Sequence, residues 1–145
     1  KKRALKGFGE GLFALVALGV VATGILYLSA EQSIALFIGT HQAAAIAEGV
    51  AYMRLVCFFY VLSYTGSSFV GFFRGSGRIN IPFIGTTMHL SVRVVLSYWL
   101  APVMGLKAVA LATGVGWVSI VLFQLVIFAA IRRRERKLEL SGVPL

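Results

Sequence analysis

The chain consists of four long apolar runs separated by short segments that hold most of its charges. The runs cover residues 12–30, 50–73, 81–100 and 108–131. None of the runs alternates between apolar and polar positions, which is the pattern of a strand with one face exposed to water. Each run is close to the roughly 20 residues that a helix needs to cross a bilayer. The pattern therefore predicts an all-α membrane protein, a single transmembrane domain over residues 1–145 with four spanning helices.

The composition supports a membrane setting over a soluble one. Apolar residues make up 59% of the chain and charged residues 13%, against about 45–50% and about 25% in soluble domains. The mean hydropathy is +0.89. So few charged side chains cannot coat a soluble body of this size.

The net charge of +9 is concentrated in three places. Basic residues precede the first run, separate the second run from the third, and follow the last run: Lys1, Lys2, Arg3, Lys6, Arg74, Arg78, Arg132, Arg133, Arg134, Arg136 and Lys137. Because basic residues collect on the cytoplasmic side of membranes, both termini and the second connection are predicted to be cytoplasmic, with a basic tail over residues 132–145. This distribution favours membrane orientation over nucleic-acid binding.

The three connections differ in character. Residues 71–82, GFFRGSGRINIP, carry two arginines without an acidic neighbour in the sequence, and Gly75 and Gly77 allow the backbone to reverse. Residues 31–49 are partly apolar and are predicted to lie at the outer interface, with His41 solvated. Residues 101–107 are predicted to form a tight turn.

Polar side chains recur at helical spacing within the runs and are expected to point away from lipid. The second run carries Tyr60, Ser63, Tyr64 and Ser67, and the third carries His89 and Arg93; these six are the candidate cavity-lining residues. Small residues also serve close helix packing. That alternative applies to Gly71 with Gly75 and to the ladder Ala108, Ala112 and Gly116.

Arg93 is the most demanding of these residues. It lies about 18 Å from the cytoplasmic end of its predicted helix at 1.5 Å per residue, and a charge at such depth costs about 3 kcal/mol. It requires a carboxylate, backbone carbonyls or a wet cavity; a purely structural role is the alternative. His89, one turn away, is expected to be neutral beside this cation, with proton transfer as the alternative.

Some kinds of chemistry are missing from the pattern. The sequence has no aspartate, and none of its glutamates falls within the four runs. No metal-ligand spacing or nucleophile–base pair is present, and Cys57 is a lone apolar-run cysteine. We therefore predict a protein that is not an enzyme and has no metal or cofactor. The four predicted helices also lack the intramembrane carboxylate on which proton- or sodium-coupled transport commonly relies.

The segments SIALFIGTHQAAAIAEGVAYMRL, SSFVGFFRGSGRINIP and RVVLSYWLAPVMGLKAVALATGVGWVSIVL together resemble the multidrug and toxic compound extrusion (MATE) transporters, over about residues 6–134. The resemblance implies a twelve-helix, two-lobed transporter in the cell (inner or plasma) membrane. Such a protein extrudes drugs or other organic cations by alternating access, driven by sodium or proton entry. It further implies that this chain is the C-terminal four-helix fragment, whose partners are its substrates, the bilayer and the remaining helices.

One position departs from the family pattern. Where some members have a cation-binding aspartate before the Arg-Gly turn, this sequence has Ser63, which places ion coupling outside this part of the transporter. Two alternatives stay open: a lipid-linked oligosaccharide flippase of the same superfamily, and a free-standing four-helix scaffold. A small multidrug-type dimer is disfavoured because Glu10 precedes the first run.

Overall fold

The computed structural model describes residues 2–38 and 42–140, and helices joined by short turns account for nearly all of them. The helices are α1 (Lys2–Leu28), α2 (Ala30–Ile38), α3 (Ala43–Cys57), α4 (Tyr60–Gly75), α5 (Asn80–Met104) and α6 (Leu106–Leu140). The predictions made for His41 and for the end of the tail, residues 141–145, lie outside the described residues. The all-helical prediction is confirmed.

Two of the described helices, α1 and α6, are long and apolar enough to cross a membrane, and α3 with α4 forms a third candidate span that is bent by 47°. The predicted third span, residues 81–100, lies within the 25-residue helix α5. Its His89 and Arg93 lower its hydropathy, so α5 is not among these candidates. The structure thus supports a membrane protein with two or three candidate spans, and the count of four stays a prediction.

The structure divides the predicted span over residues 50–73 between two helices, α3 and α4. The helix breaks at Phe58 and Phe59, although both keep right-handed helical backbone angles and no proline is near. At the break the Phe59 amide donates to the Val56 carbonyl at 2.9 Å, a tighter i to i−3 bond. The Cys57 carbonyl accepts a hydrogen bond from the Thr23 hydroxyl of α1 at 2.9 Å. Helices kink where such a group competes for the backbone ladder.

The helices pack so that the α3–α4 pair lies between α1 and α6, while α5 packs mainly on α6. Tyr64 of α4 contacts α1 at Gly19. On α6, Gly114 receives the ring of Phe59, and Gly116 receives His89 of α5. Phe8 of α1 also contacts Phe72 of α4, and Gly85 of α5 contacts Ile120 of α6. The order of the two contacts in each pair shows that α1 is antiparallel to α4 and that α5 is antiparallel to α6. The chain therefore runs back and forth between the two ends of one bundle.

Small residues on α6 make its close contacts possible. Ala108 and Ala112 are fully buried, and Gly116 is buried beneath His89, so the predicted packing ladder is confirmed. Gly71 and Gly75 behave differently, because a Cβ added at either would meet no heavy atom within 4 Å. The alternative that this pair packs closely was therefore wrong within this chain.

The outer faces of the bundle are apolar. Large side chains on α1 and α5 are largely exposed, among them Phe13, Leu28, Phe83, Tyr98, Trp99 and Val103. A soluble monomer rarely exposes such continuous apolar surface. These faces suit lipid tails or neighbouring transmembrane helices.

The basic segments converge at one end of the bundle, which we call the basic end. Leu5 of α1, Arg78 of the α4–α5 turn, and Arg132 and Glu135 of α6 line one cavity there. Arg78 pairs with Glu135 at 3.6 Å, so the turn that lacks an acidic neighbour in sequence gains one in space. The basic tail is helical as far as Leu140.

The connections at the two ends are turned by glycine. Gly77 at the basic end has a φ of +72° and Gly105 at the opposite end has a φ of +58°, values that favour a residue without a Cβ. Pro102 belongs to the turn predicted at residues 101–107, but in the structure it lies inside the last turn of α5. The turn at residues 101–107 is therefore shorter than predicted.

The close contact between Gly114 and Phe59 predicts that adding one methyl group at Gly114 destabilises the fold. A Cβ at Gly114 would lie 2.5–2.6 Å from ring carbons of Phe59. We expect Gly114→Ala to lower the free energy of unfolding by about 1–3 kcal/mol, the usual cost of overpacking. Unfolding in detergent micelles, followed by circular dichroism, measures it.

Gly24→Ala is the matched control, since a Cβ there meets nothing within 4 Å. The opposing ring can be replaced with a smaller side chain by adding Phe59→Leu to the Gly114→Ala variant. This double variant should recover part of the lost unfolding free energy. Equal stability of Gly114→Ala and Gly24→Ala would contradict the contact.

Candidate functional site

The predicted cavity-lining residues of the second run all lie on α4, directly after the break. Tyr60, Ser63 and Tyr64 are half-buried, and Ser67 is exposed. Their spacing of three and four residues places them along one side of the helix. The break therefore lies directly before the polar stripe of α4.

Tyr60 belongs to a row of three aromatic rings that joins α4, α6 and α5. The ring of Tyr60 lies 5.7 Å from that of Trp117, and the Trp117 ring lies 6.5 Å from the imidazole of His89, nearly parallel to it at 4°. We call Tyr60, Trp117 and His89 the aromatic row. It combines ring faces with a hydroxyl and two ring N–H groups.

His89 is the buried end of this row. It is 9% exposed, and its Nδ1 has no hydrogen-bond partner among the described residues. A Cβ at Gly116 would lie 2.6 Å from this nitrogen. The glycine thus lets the imidazole lie directly against the backbone of α6, so the structure gives His89 a packing role.

Tyr64 faces a different neighbour from Tyr60. A Cβ at Gly19 would lie 3.0 Å from Tyr64 Cδ2, so the ring covers α1 at that glycine. Ser67 continues along the same boundary and lines a groove of about 390 Å³ between α1 and α4. Its hydroxyl donates to the Ser63 carbonyl at 2.9 Å. The stripe is therefore divided, with Tyr60 toward α6 and Tyr64 and Ser67 toward or along α1.

Arg93 is half-buried on α5, one turn beyond His89 and further from the basic end. The α5–α6 register, in which Gly85 meets Ile120 and His89 meets Gly116, places it at the level of Ala112. No acidic side chain in residues 3–38 or 42–137 forms an ion pair with it. The cost of a charge at this depth is therefore not offset by a carboxylate of the described residues.

Gln124 is the most completely enclosed polar side chain among the residues of α6 whose burial is described. It is 0% exposed, and its amide oxygen and nitrogen have no hydrogen-bond partner in the part of the chain that is described. Its Oε1 lies 3.7 Å from the position of a Cβ at Gly66. In the sequence, the signal that could have identified this buried residue is a single amide side chain within the apolar run of α6.

At the end opposite the basic end, Arg54 is held by an aromatic ring. Its guanidinium lies 5.4 Å from the centre of the Tyr27 ring, a cation–π distance. Tyr27 in turn meets the edge of Phe58 at the break. Arg54 and Glu31 both line an open cleft of about 500 Å³. Arg54 is exposed, and its long side chain can reach the membrane interface.

The described residues contain no group of three or more His, Cys, Asp or Glu side chains that are placed to hold a metal ion. Between the two ends of the bundle, the polar groups of these residues are hydroxyls, aromatic rings, an amide and one deep guanidinium.

Apolar outer faces with polar side chains gathered between the helices define this chain as a multi-pass membrane protein. The MatE family model matches residues 1–99, about two thirds of the 145 residues, and the chain belongs to this family of membrane transporters. The resemblance noted in the sequence is thus confirmed, and a transporter is not an enzyme in the catalytic sense. No curated protein and no solved structure matches the chain.

The bond that fixes the break is open to a direct test. Thr23→Val removes the hydroxyl but keeps the branched shape, leaving the Cys57 carbonyl without its 2.9 Å donor. We expect a loss of about 1 kcal/mol in unfolding free energy, as for polar contacts between membrane helices. Unfolding in micelles measures the loss.

Thr23→Ser keeps the donor and is the control for this substitution. Stability of the valine variant equal to that of the serine variant would show that the hydroxyl does not hold the break.

Proposed function

We propose that this chain forms part of a cation-coupled antiporter that extrudes drugs or other organic cations by alternating access. The proposal rests on one observation beyond family membership: the polar and aromatic stripe on α4 that begins at the α3–α4 break. In this proposal the chain supplies four spans with both ends in the cytoplasm of a transporter in the cell membrane. The remaining helices of that transporter complete the cavity.

Aromatic rings support an organic cation as the substrate. A cation within about 6 Å of a tyrosine or tryptophan ring gains about 0.5–2 kcal/mol from the π face. Tyr60 and Tyr64 are both half-buried, so their rings are partly covered by protein and partly open. A cation bound beside them meets less competition from water than at an exposed site.

The coupling ion, sodium or proton, is proposed to bind outside this chain. Ser63 occupies the position of the aspartate that some family members use, and the described part of α4 has no carboxylate. The same remaining helices would supply a carboxylate partner for Arg93. This division separates substrate contact on α4 from ion binding elsewhere in the transporter.

The break between α3 and α4 supports a transport mechanism in which one of these helices moves relative to the other. Discontinuous helices in transporters place flexible backbone at the binding region, and alternating access turns on rigid pieces that move about such points. Here α3 and α4 meet at 47°. Straightening or sharpening this angle would move the stripe on α4 relative to the cleft at the opposite end.

A flippase for lipid-linked oligosaccharides is the second transport function. Its diphosphate substrate would favour several basic residues along the cavity. Among the candidate cavity residues only Arg93 is basic, so the organic-cation exporter is the better-supported function.

Tyr64 provides the functional test. In cells that express the complete transporter, we expect Tyr64→Leu to weaken resistance to a cationic drug about 2- to 30-fold, the range that a lost cation–π contact corresponds to. Drug susceptibility is measured together with the amount of transporter in the membrane.

The matched control is Tyr98→Leu, because Tyr98 is 83% exposed on the outer face of α5. Its replacement should leave resistance unchanged. Equal resistance in both variants at equal membrane expression would argue against a cavity role for Tyr64.

A further inference from the structure

The cavity at the basic end, where α1, α4 and α6 meet, is separate from the aromatic row. Its volume is about 320 Å³. Three charged side chains form its rim, Arg78, Arg132 and Glu135, and four apolar side chains form its floor, Leu5, Phe72, Phe128 and Ile131. We call it the basic-end pocket. Phe72 lies about 18 Å along the helices from Tyr60 at 1.5 Å per residue.

The rim carries a net positive charge. Its two arginines face one glutamate, and the Arg78–Glu135 pair is loose, at 3.6 Å with side chains 42% and 30% exposed. Both arginines therefore retain N–H donors for a further anion. Arg133, Arg134, Arg136 and Lys137 surround a neighbouring surface cavity on the same helix and add to the positive potential. An arginine fork matches the oxygens of a phosphate group.

The floor is rigid and apolar. Phe72 and Phe128 lie 5.3 Å apart, and both contact the ring of Phe8, at 4.8 and 5.3 Å. Such interlocked rings hold the base of the pocket in place. A free phosphate has no apolar group that could pack against this floor. A molecule with an anionic head and a hydrocarbon body would contact both the cationic rim and the apolar floor.

We propose that the basic-end pocket binds an anionic phospholipid. Its phosphate lies between Arg132 and Arg78, and the first part of an acyl chain covers Phe72 and Phe128. Because the pocket is lined by α1, by the α4–α5 turn and by α6, the bound lipid connects all three at this end. This inference concerns a site distinct from the proposed transport cavity and does not depend on the substrate.

The test is lipid binding to the purified chain in detergent, measured by native mass spectrometry with phosphatidylglycerol and phosphatidylcholine. We expect preferential retention of phosphatidylglycerol, and about a fivefold loss of its affinity in Arg132→Gln, the effect of one arginine near a headgroup. Arg134→Gln makes the same charge change outside the pocket and should alter the affinity less than twofold.

Three outcomes would overturn the proposal. Equal losses in Arg132→Gln and Arg134→Gln would mean that only diffuse surface charge attracts the lipid. Displacement of phosphatidylglycerol by inorganic phosphate at similar concentration would indicate a free-anion site. Equal retention of phosphatidylcholine would show that the rim does not select an anion.

Discussion

The break between α3 and α4 sets the position of nearly everything that follows it, and it depends on a hydrogen bond from Thr23 to the Cys57 carbonyl. In an apolar environment a backbone carbonyl that leaves the helical ladder needs another donor. Thr23 supplies that donor from α1. The bent chain then places Phe59 against Gly114 and Tyr60 against Trp117, and these contacts join the α3–α4 pair to α6.

The scarcity of charge gives the two ends of the bundle different characters. Most basic residues lie at the basic end, where Glu135 offers Arg78 an acidic partner. At the other end Arg54 is paired with the ring of Tyr27 instead of a carboxylate. Between the ends the polar side chains are hydroxyls, rings and one amide, with Arg93 the exception. A solute that passes along α4 would therefore meet surfaces of low charge, which supports carriage of amphipathic organic cations.

The sequence predicted the helices and the membrane class well because both depend on composition and local pattern. It also identified the small-residue ladder on α6, since alanine and glycine one turn apart pack wherever a partner is present. The α3–α4 break could not be predicted, because two phenylalanines are compatible with a continuous helix and the donor is on another helix. For the same reason the sequence could not show that Tyr60 and Tyr64 face different neighbours. Gly71 and Gly75 have the packing spacing, but a Cβ at either position would meet no heavy atom of the described residues within 4 Å.

The central claim is that the chain belongs to an exporter of organic cations whose driving ion binds elsewhere. The most direct measurement is flux of a labelled organic cation in proteoliposomes that contain the complete transporter, with a sodium or proton gradient imposed. The account predicts cation transport against its own gradient with at least one of the two ions, and none without either. Absence of transport with both gradients, together with transfer of a lipid-linked oligosaccharide across the same membrane, would contradict it.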